Sequence, residues 1–351
     1  MTTKTLRSAQ DLAAAGLIAP DRLTALERVA AQYAVAITPA MAELIEAPDD
    51  PIARQFVPSE AEFDLLPQES ADPVGDFVHS PVEGIVHRYP DRCLLKLNHA
   101  CAVYCRFCFR REMVGPEGLR PLSTEALEAA VAYIAERPDI WEVIVTGGDP
   151  FILSPRRLRE AMARLARIDH VKVVRFHTRV PAVAPEMVTD ELVAALRASG
   201  KTTYVALHAN HARELTPAAR AACARIVDAG VPMLGQTVLL AGVNDDPESL
   251  TALMRALVET RIKPYYLHHA DLAPGTSHLR TSVEAGQILM RAMRGTVSGL
   301  CQPTYILDIP GGHGKVPIGP DYLADGPNGG SVEDPAGRRH DYPPAHGGKG
   351  A

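Results

Sequence analysis

The chain of 351 residues carries 36 Lys+Arg against 42 Asp+Glu, a formal net charge of −6, with 46% hydrophobic and 22% charged residues. This is ordinary globular usage, and its mildly acidic balance gives no electrostatic footprint for nucleic acid or anionic lipid. No run reaches the ~18 apolar residues that span a bilayer, Asp11 breaks the short apolar run near the start where a signal peptide would need continuity, and six cysteines are too few for a disulfide scaffold; the expectation is a cytoplasmic enzyme.

Residues 1–75 read as a helical region. Apolar residues recur at helical spacing through Leu23, Leu26, Val29 and Ala30, and again through Ile37, Met41, Leu44 and Ile45, until Asp49-Asp50-Pro51 breaks the pattern. From Cys93 onward short β-rich runs alternate with helical stretches. The strands are expected to begin near Cys93, Trp141, Val171, Thr202, Val231, Ile262 and Thr304, most of them spaced by the length of a βα unit. Parallel strands require crossover helices, and the helices carry their own punctuation. Ser154-Pro155, Thr216-Pro217 and Asp246-Pro247 each put a capping side chain before a proline, Thr281 and Glu284 have capping-box spacing, and Gly200 and Gly230 stop helices. No G-x-G-x-x-G follows the first strand, which favours a barrel of about six βα units over a dinucleotide fold. Residues 76–324 are assigned to that barrel. Residues 325–351, dense in glycine and proline, are expected to be a disordered tail in which His340 and His346 are solvated.

Directly after the first strand stands Cys101-Ala-Val-Tyr-Cys105-Arg-Phe-Cys108. Three thiolates on one short loop can wrap a single metal centre. Zinc usually takes four ligands, often from paired knuckles, and no second knuckle exists here. Three cysteines suit a four-iron cluster with one iron left open, and three unligated loop cysteines are the plain alternative. Cys93, Cys223 and Cys301 are isolated and read as buried hydrophobes. The second strand ends in Thr146-Gly147-Gly148-Asp149-Pro150, where glycines let backbone come close to a neighbour.

Asp308-Ile-Pro-Gly311-Gly312-His313-Gly314-Lys315-Val316 follows the last β-rich run. It fails as a phosphate loop, because Ile309 and Val316 stand where Gly and Ser/Thr are needed. What remains is one lysine on a loop poor in side chains, which suits a Schiff-base lysine that must reach a carbonyl carbon and leave it again.

The cysteine loop, with Phe107 before its last cysteine, resembles the signature of the radical S-adenosylmethionine (SAM) superfamily. Tyr89-Pro-Asp-Arg92, Cys101 to Arg111, Gly147-Gly148-Asp149, Gln236-Thr-Val-Leu-Leu, Pro264-Tyr-Tyr266 and Pro310 to Lys315 occur in the order of the lysine 2,3-aminomutase family, the branch dependent on pyridoxal 5′-phosphate (PLP), and the similarity runs from about Ala36 to Tyr322. The resemblance implies an α/β fold, a partial (β/α)6 radical SAM barrel with an N-terminal helical extension, and three cofactors: a [4Fe-4S] cluster, SAM and PLP. By motif, Cys101, Cys105 and Cys108 would hold the cluster and Lys315 would join PLP. Gly147, Gly148, Asp149, His208 and Gln236 would contact SAM, Arg92 the PLP phosphate, and Arg110 the substrate carboxylate, a task for which a guanidinium fork is suited.

Asp271 and Asp308 both follow strand-like runs, where an aspartate often just caps a loop. In the lysine-specific members the matching positions pair with the substrate's ε-ammonium, so keeping both implies L-lysine. The implied reaction, an isomerisation, moves the α-amino group to C3 by 5′-deoxyadenosyl radical chemistry on the PLP-bound amino acid, giving β-lysine. It would draw electrons from an external donor such as flavodoxin or ferredoxin, with no nucleic-acid or membrane partner. Asp246 stands where larger lysine mutases are expected to have a zinc-binding cysteine. The short chain and Cys108-Phe-Arg110-Arg111 resemble the branch that supplies (R)-β-lysine for elongation factor P modification. A non-catalytic iron–sulfur protein, the rival from another class, would need neither Lys315 nor Arg110.

Overall fold

The structure is a computed structural model that describes residues 3–115, 121–325 and 330–344. Strands β1 (Ile85–Tyr89), β2 (Arg92–Asn98), β3 (Glu142–Gly147), β4 (Val173–Thr178), β5 (Thr202–His208), β6 (Met233–Leu239), β7 (Ile262–His269), β8 (Thr304–Ile309) and β9 (Gly314–Pro317) form one sheet in sequence order. β2 to β8 pair in parallel, while β1 and β9 are antiparallel edges. The observed strands start within two residues of the expected positions. Helices Thr124–Ala135, Pro155–Leu165, Asp190–Leu196, Pro217–Asp228, Pro247–Glu259 and Val283–Met293 provide the six crossovers, so the sheet curls into a nearly closed barrel.

Strand periodicity explains why the barrel is hollow. Val143 and Val145, then Val174 and Phe176, face the helices and are completely buried. The alternating partners Glu142, Ile144 and Thr146, then Arg175, His177 and Arg179, face the lumen. Polar side chains there leave a cavity where a structural barrel would pack Val and Leu.

The two edges meet at a seam. The main-chain N–H of Lys315 on β9 donates to the Tyr89 hydroxyl on β1 at 2.8 Å, and Arg88 lies 3.7 Å from Asp308 on β8. A segment from the N-terminal region covers this seam. Gly75 lies so close to Gly312 that a Cβ would sit 2.6 Å from its Cα, and His79 Nε2 is 3.1 Å from the Gly312 carbonyl.

Three expectations change. The described part of the tail is ordered: β10 (Leu323–Ala324), β11 (Gly330–Glu333) and β12 (Arg339–Tyr342) form an antiparallel sheet. Its turn is built by Asp334, which accepts from the N–H groups of Ala336 and Arg338, with Gly337 at φ +80°, and His340 pairs with Asp334 at 2.8 Å. Gly329, His346, Gly347 and Gly348 lie outside the described residues. Second, the last crossover helix is capped by Ser282, which accepts from Ala285 N, one residue after Thr281. Third, the run from Ile37 to Ile45 is not one helix, because Ile37 exchanges both main-chain hydrogen bonds with Leu6 and only Pro39–Ala42 is helical. The proline caps at Ser154, Thr216 and Asp246 each accept from a first-turn N–H, and Cys93, Cys223 and Cys301 are buried.

Candidate active site

A cavity of about 480 Å³ runs along the lumen, from Arg92 and Glu142 at the strand starts to Gly147, His208 and Asp308 at the strand ends. Every site residue singled out in the sequence lines it: Cys101, Cys105, Cys108, Gly147, Gly148, Asp149, His208 and Gln236 around the cysteine loop, with Arg92, Arg110, Asp271, Asp308 and Lys315 completing the wall.

The cysteine loop is braced from behind. Gly148 N donates to Asn98 O and Asp149 N to Ala100 O, each at 2.8 Å. A Cβ on Gly148 would lie 2.1 Å from the Ala100 carbonyl oxygen, and one on Gly147, at φ +116°, 2.2 Å from that of Asn98. The glycines are therefore required first by the cysteine loop itself. The Asp149 carboxylate is fully engaged, accepting from Thr178 Oγ1, Arg179 N, Val180 N and Phe151 N. This carboxylate braces the turn. His208 and Gln236 are register partners on β5 and β6, and His208 Nε2 lies 3.1 Å from Asn210 Oδ1.

Burial pushes all three cysteine thiols up, Cys108 to about 11, and their mutual proximity adds to the rise at Cys101 and Cys108. Only a strongly cationic partner stabilises three thiolates here. Among the described residues no three His, Cys, Asp or Glu side chains converge tightly enough for a single ion, as mononuclear zinc requires. An iron–sulfur cube gives each thiolate its own iron, so three cysteines on one loop suit it.

Around Lys315 the charges are paired but incompletely satisfied. Its ammonium hydrogen-bonds Asp308, which also has His268 Nδ1 at 3.8 Å. Burial opposes ionisation of Asp308, yet His268 and Lys315 hold its carboxyl down at about 2. Asp271 is the reverse: desolvation, reinforced by the Asp308 charge, pushes it up to about 7. Arg110 gives Nε and Nη2 to Asp76, both at 2.9 Å. Arg92 stacks over Tyr89 at 3.8 Å and pairs with Asp91. Arg88 Nε, His177 Nε2 and Asp308 Oδ1 line the cavity as buried polar atoms without a hydrogen-bond partner among the described residues, the mark of a wall built for a polar ligand. With an amine, Arg88, Arg92 and Arg175 among the five arginines that line it, and the stacked rings of Tyr265 and Tyr266 at 3.7 Å, the wall fits a phosphorylated aromatic aldehyde.

Sequence reasoning missed Asp76, Arg88, His177, Arg179 and His268. The signal for two of them, His177 and Arg179, was present: in Val173-Val-Arg-Phe-His-Thr-Arg179 polar residues recur at every second place from Arg175, and a polar residue at every second place of a barrel strand faces the lumen.

A family model described as the Radical SAM superfamily matches residues 95–254, and one described as Lysine-2,3-aminomutase matches residues 290–329. The L-lysine 2,3-aminomutase of Acetoanaerobium sticklandii is 38% identical over 308 residues, covering 87% of this chain and 74% of the relative. That of Methanococcus maripaludis is 39% identical over 303 residues, covering 86% and 70%. The glutamate 2,3-aminomutase of Clostridioides difficile is 37% identical over 300 residues, covering 85% and 70%. With that similarity along most of its length, the chain belongs to the lysine 2,3-aminomutase family of radical SAM enzymes, isomerases that work with a [4Fe-4S] cluster, SAM and PLP.

Proposed function

We propose that this chain converts L-lysine to β-lysine, with Cys101, Cys105 and Cys108 holding the cluster, Lys315 joining PLP, and both chemistries meeting in the single lumen. The observation that carries the reading is the placement of Asp271 and Asp308 on the same cavity wall as Lys315. Identity alone leaves the substrate open, since lysine and glutamate enzymes are similarly related to this chain. Two carboxylates select a cationic side chain: a glutamate γ-carboxylate there would be a third buried anion with no partner.

When bound, SAM and PLP supply the radical transfer of the amino nitrogen from C2 to C3. The chain's own residues bind and orient. Arg110 has Nη1 uncommitted among the described residues after pairing with Asp76 and would receive the α-carboxylate. Asp308 holds the Lys315 ammonium while that amine is free. Asp271, with Asp308 beside it, would take the substrate's ε-ammonium. Arg92 and the neighbouring Arg88 receive the PLP phosphate. His208, Gln236 and the carbonyls of the Gly147-Gly148 turn hold SAM, with Asp149 acting through the turn. The covered seam shields the lumen from water and oxygen. Electrons come from an external one-electron donor such as flavodoxin or ferredoxin in the cytoplasm; no helix among the described residues is long and apolar enough to cross a membrane.

The test is anaerobic incubation of the reconstituted chain with SAM, PLP, dithionite and either L-lysine or L-glutamate, followed by chiral analysis. β-Lysine without β-glutamate supports the reading, and the opposite outcome refutes it.

A further inference from the structure

At the end of β4, Arg179 is 6% exposed and its charge is spent entirely inside the protein. Nη2 donates to Glu214 Oε2 at 2.8 Å and to Gln55 Oε1 at 2.5 Å, while Nη1 donates to the sulfur of Cys105 at 2.8 Å. Glu214 is completely buried and is further fixed by the N–H groups of Asn210 and His211; Gln55 Oε1 also accepts from Asn210 Nδ2. The guanidinium lies over the rings of Phe56 and Phe107, at 4.6 and 5.4 Å. The other anion nearby, Asp149, gives its oxygens to main-chain N–H groups and Thr178, so it does not compete for the guanidinium. No other arginine or lysine side chain hydrogen-bonds a loop cysteine sulfur among the described residues. This is a costly arrangement if only stability were served, because an apolar filling of such a site is often at least as stable.

We propose that Arg179 is a tuning residue for the iron–sulfur cluster: its guanidinium, held on Cys105 and partly balanced by Glu214, raises the reduction potential. The inference rests on the reading that Cys105 is a cluster ligand. The couple takes up one electron from the external donor with no bond made or broken, so the reduced form carries one more negative charge. A fixed positive charge at hydrogen-bond distance from a ligand sulfur stabilises that form more than the oxidised one. Glu214, whose carboxylate screens the same guanidinium, opposes it. Removing the arginine charge and removing the glutamate charge therefore move the potential in opposite directions, which a purely structural brace would not do.

The test uses the full chain reconstituted anaerobically with iron and sulfide, without SAM, titrated with mediators while the electron paramagnetic resonance of the reduced cluster is recorded. At the poise where the parent is half reduced, Arg179→Gln should lower the reduced-to-oxidised ratio about tenfold, equivalent to about 59 mV for a one-electron couple. Arg179→Lys should lie between the two, and Glu214→Gln should raise the ratio. Unchanged midpoints in Arg179→Gln and Glu214→Gln, or shifts of both in the same direction, would overturn the proposal. Should either variant fail to fold, the parent labelled with ¹⁵N-arginine decides. A hyperfine coupling from an arginine nitrogen to the reduced cluster supports the contact, and its absence contradicts it. A parent that binds no iron and sulfide overturns the cluster assignment itself, a result read before any titration.

Discussion

Asp271 and Asp308 are chemically identical side chains pushed in opposite directions by their neighbours. Asp308 has Lys315 and His268 beside it and stays ionised, whereas Asp271 faces the Asp308 charge and titrates near 7. Lysine binding should therefore tighten as pH rises from about 6 to 8, as Asp271 ionises, and KM measured across that range checks it. In Asp271→Asn that pH dependence should flatten and KM should rise by a hundredfold or more, from the roughly 3–5 kcal/mol of an unpaired buried charge. The stability effect has the opposite sign. The folded pKa lies above the unfolded value of about 3.9, so the unfolded state binds fewer protons between the two. This group's contribution then falls as pH rises through about 4 to 7. Thermal melting of the cofactor-free chain at pH 8 should show Asp271→Asn above the parent, with the gap closing at pH 4. For Lys315→Ala, borohydride reduction should no longer fix a pyridoxyl group to the chain. A labelled product in that variant would place the Schiff base elsewhere.

Elements divide by how they were written into the chain. The starts of β2 to β8 were legible because buried parallel strands read as short apolar runs and their helices carry side-chain caps. β1 and β9 were not, since each is short, pairs antiparallel with its neighbour in sequence through a tight turn, and lacks a long apolar run. Those two strands nevertheless set the lysine at the seam. The cysteine loop and the lysine loop stood out by residue type and spacing and the two aspartates only through the family resemblance, while Arg88 on β1 and Asp76 on the covering segment depend on tertiary contact. Gly148→Ala tests the turn behind the cysteine loop. With a Cβ 2.1 Å from the Ala100 carbonyl oxygen, the loop must shift, and iron incorporation should fall severalfold or more while circular dichroism stays near the parent's. Tyr89→Phe removes the seam hydrogen bond and should cost about 0.5–1.5 kcal/mol, seen as severalfold weaker PLP binding by absorption titration.

For the whole molecule, the N-terminal region acts as the clamp that joins cysteine loop, seam and lysine loop. Its Glu62, completely buried, pairs with Arg106 and Arg111 of the cysteine loop, while Asp76 grips Arg110 and lies 3.4 Å from Arg88. Burial would raise the Glu62 carboxyl, but Arg106 and Arg111 hold it below the ordinary range, and Arg110 does the same for Asp76. Both contribute stability that is present above the unfolded pKa and lost as pH falls through the folded one. The chain should therefore melt at progressively lower temperature below about pH 4. Glu62→Gln leaves two arginines short of their buried anion and should destabilise by about 3–5 kcal/mol, measured by denaturant unfolding at pH 7. A helical N-terminal region could be anticipated from apolar spacing. Its role could not, because Glu62 and Asp76 read as ordinary loop acids until their arginine partners are known.

The most direct measurement of whether one cavity unites radical and Schiff-base chemistry is anaerobic turnover of L-lysine carrying deuterium at C3. Deuterium should appear both in the β-lysine formed and in the 5′ carbon of recovered, otherwise intact SAM. β-Lysine accompanied by unlabelled SAM, or SAM cleavage without β-lysine, would contradict it.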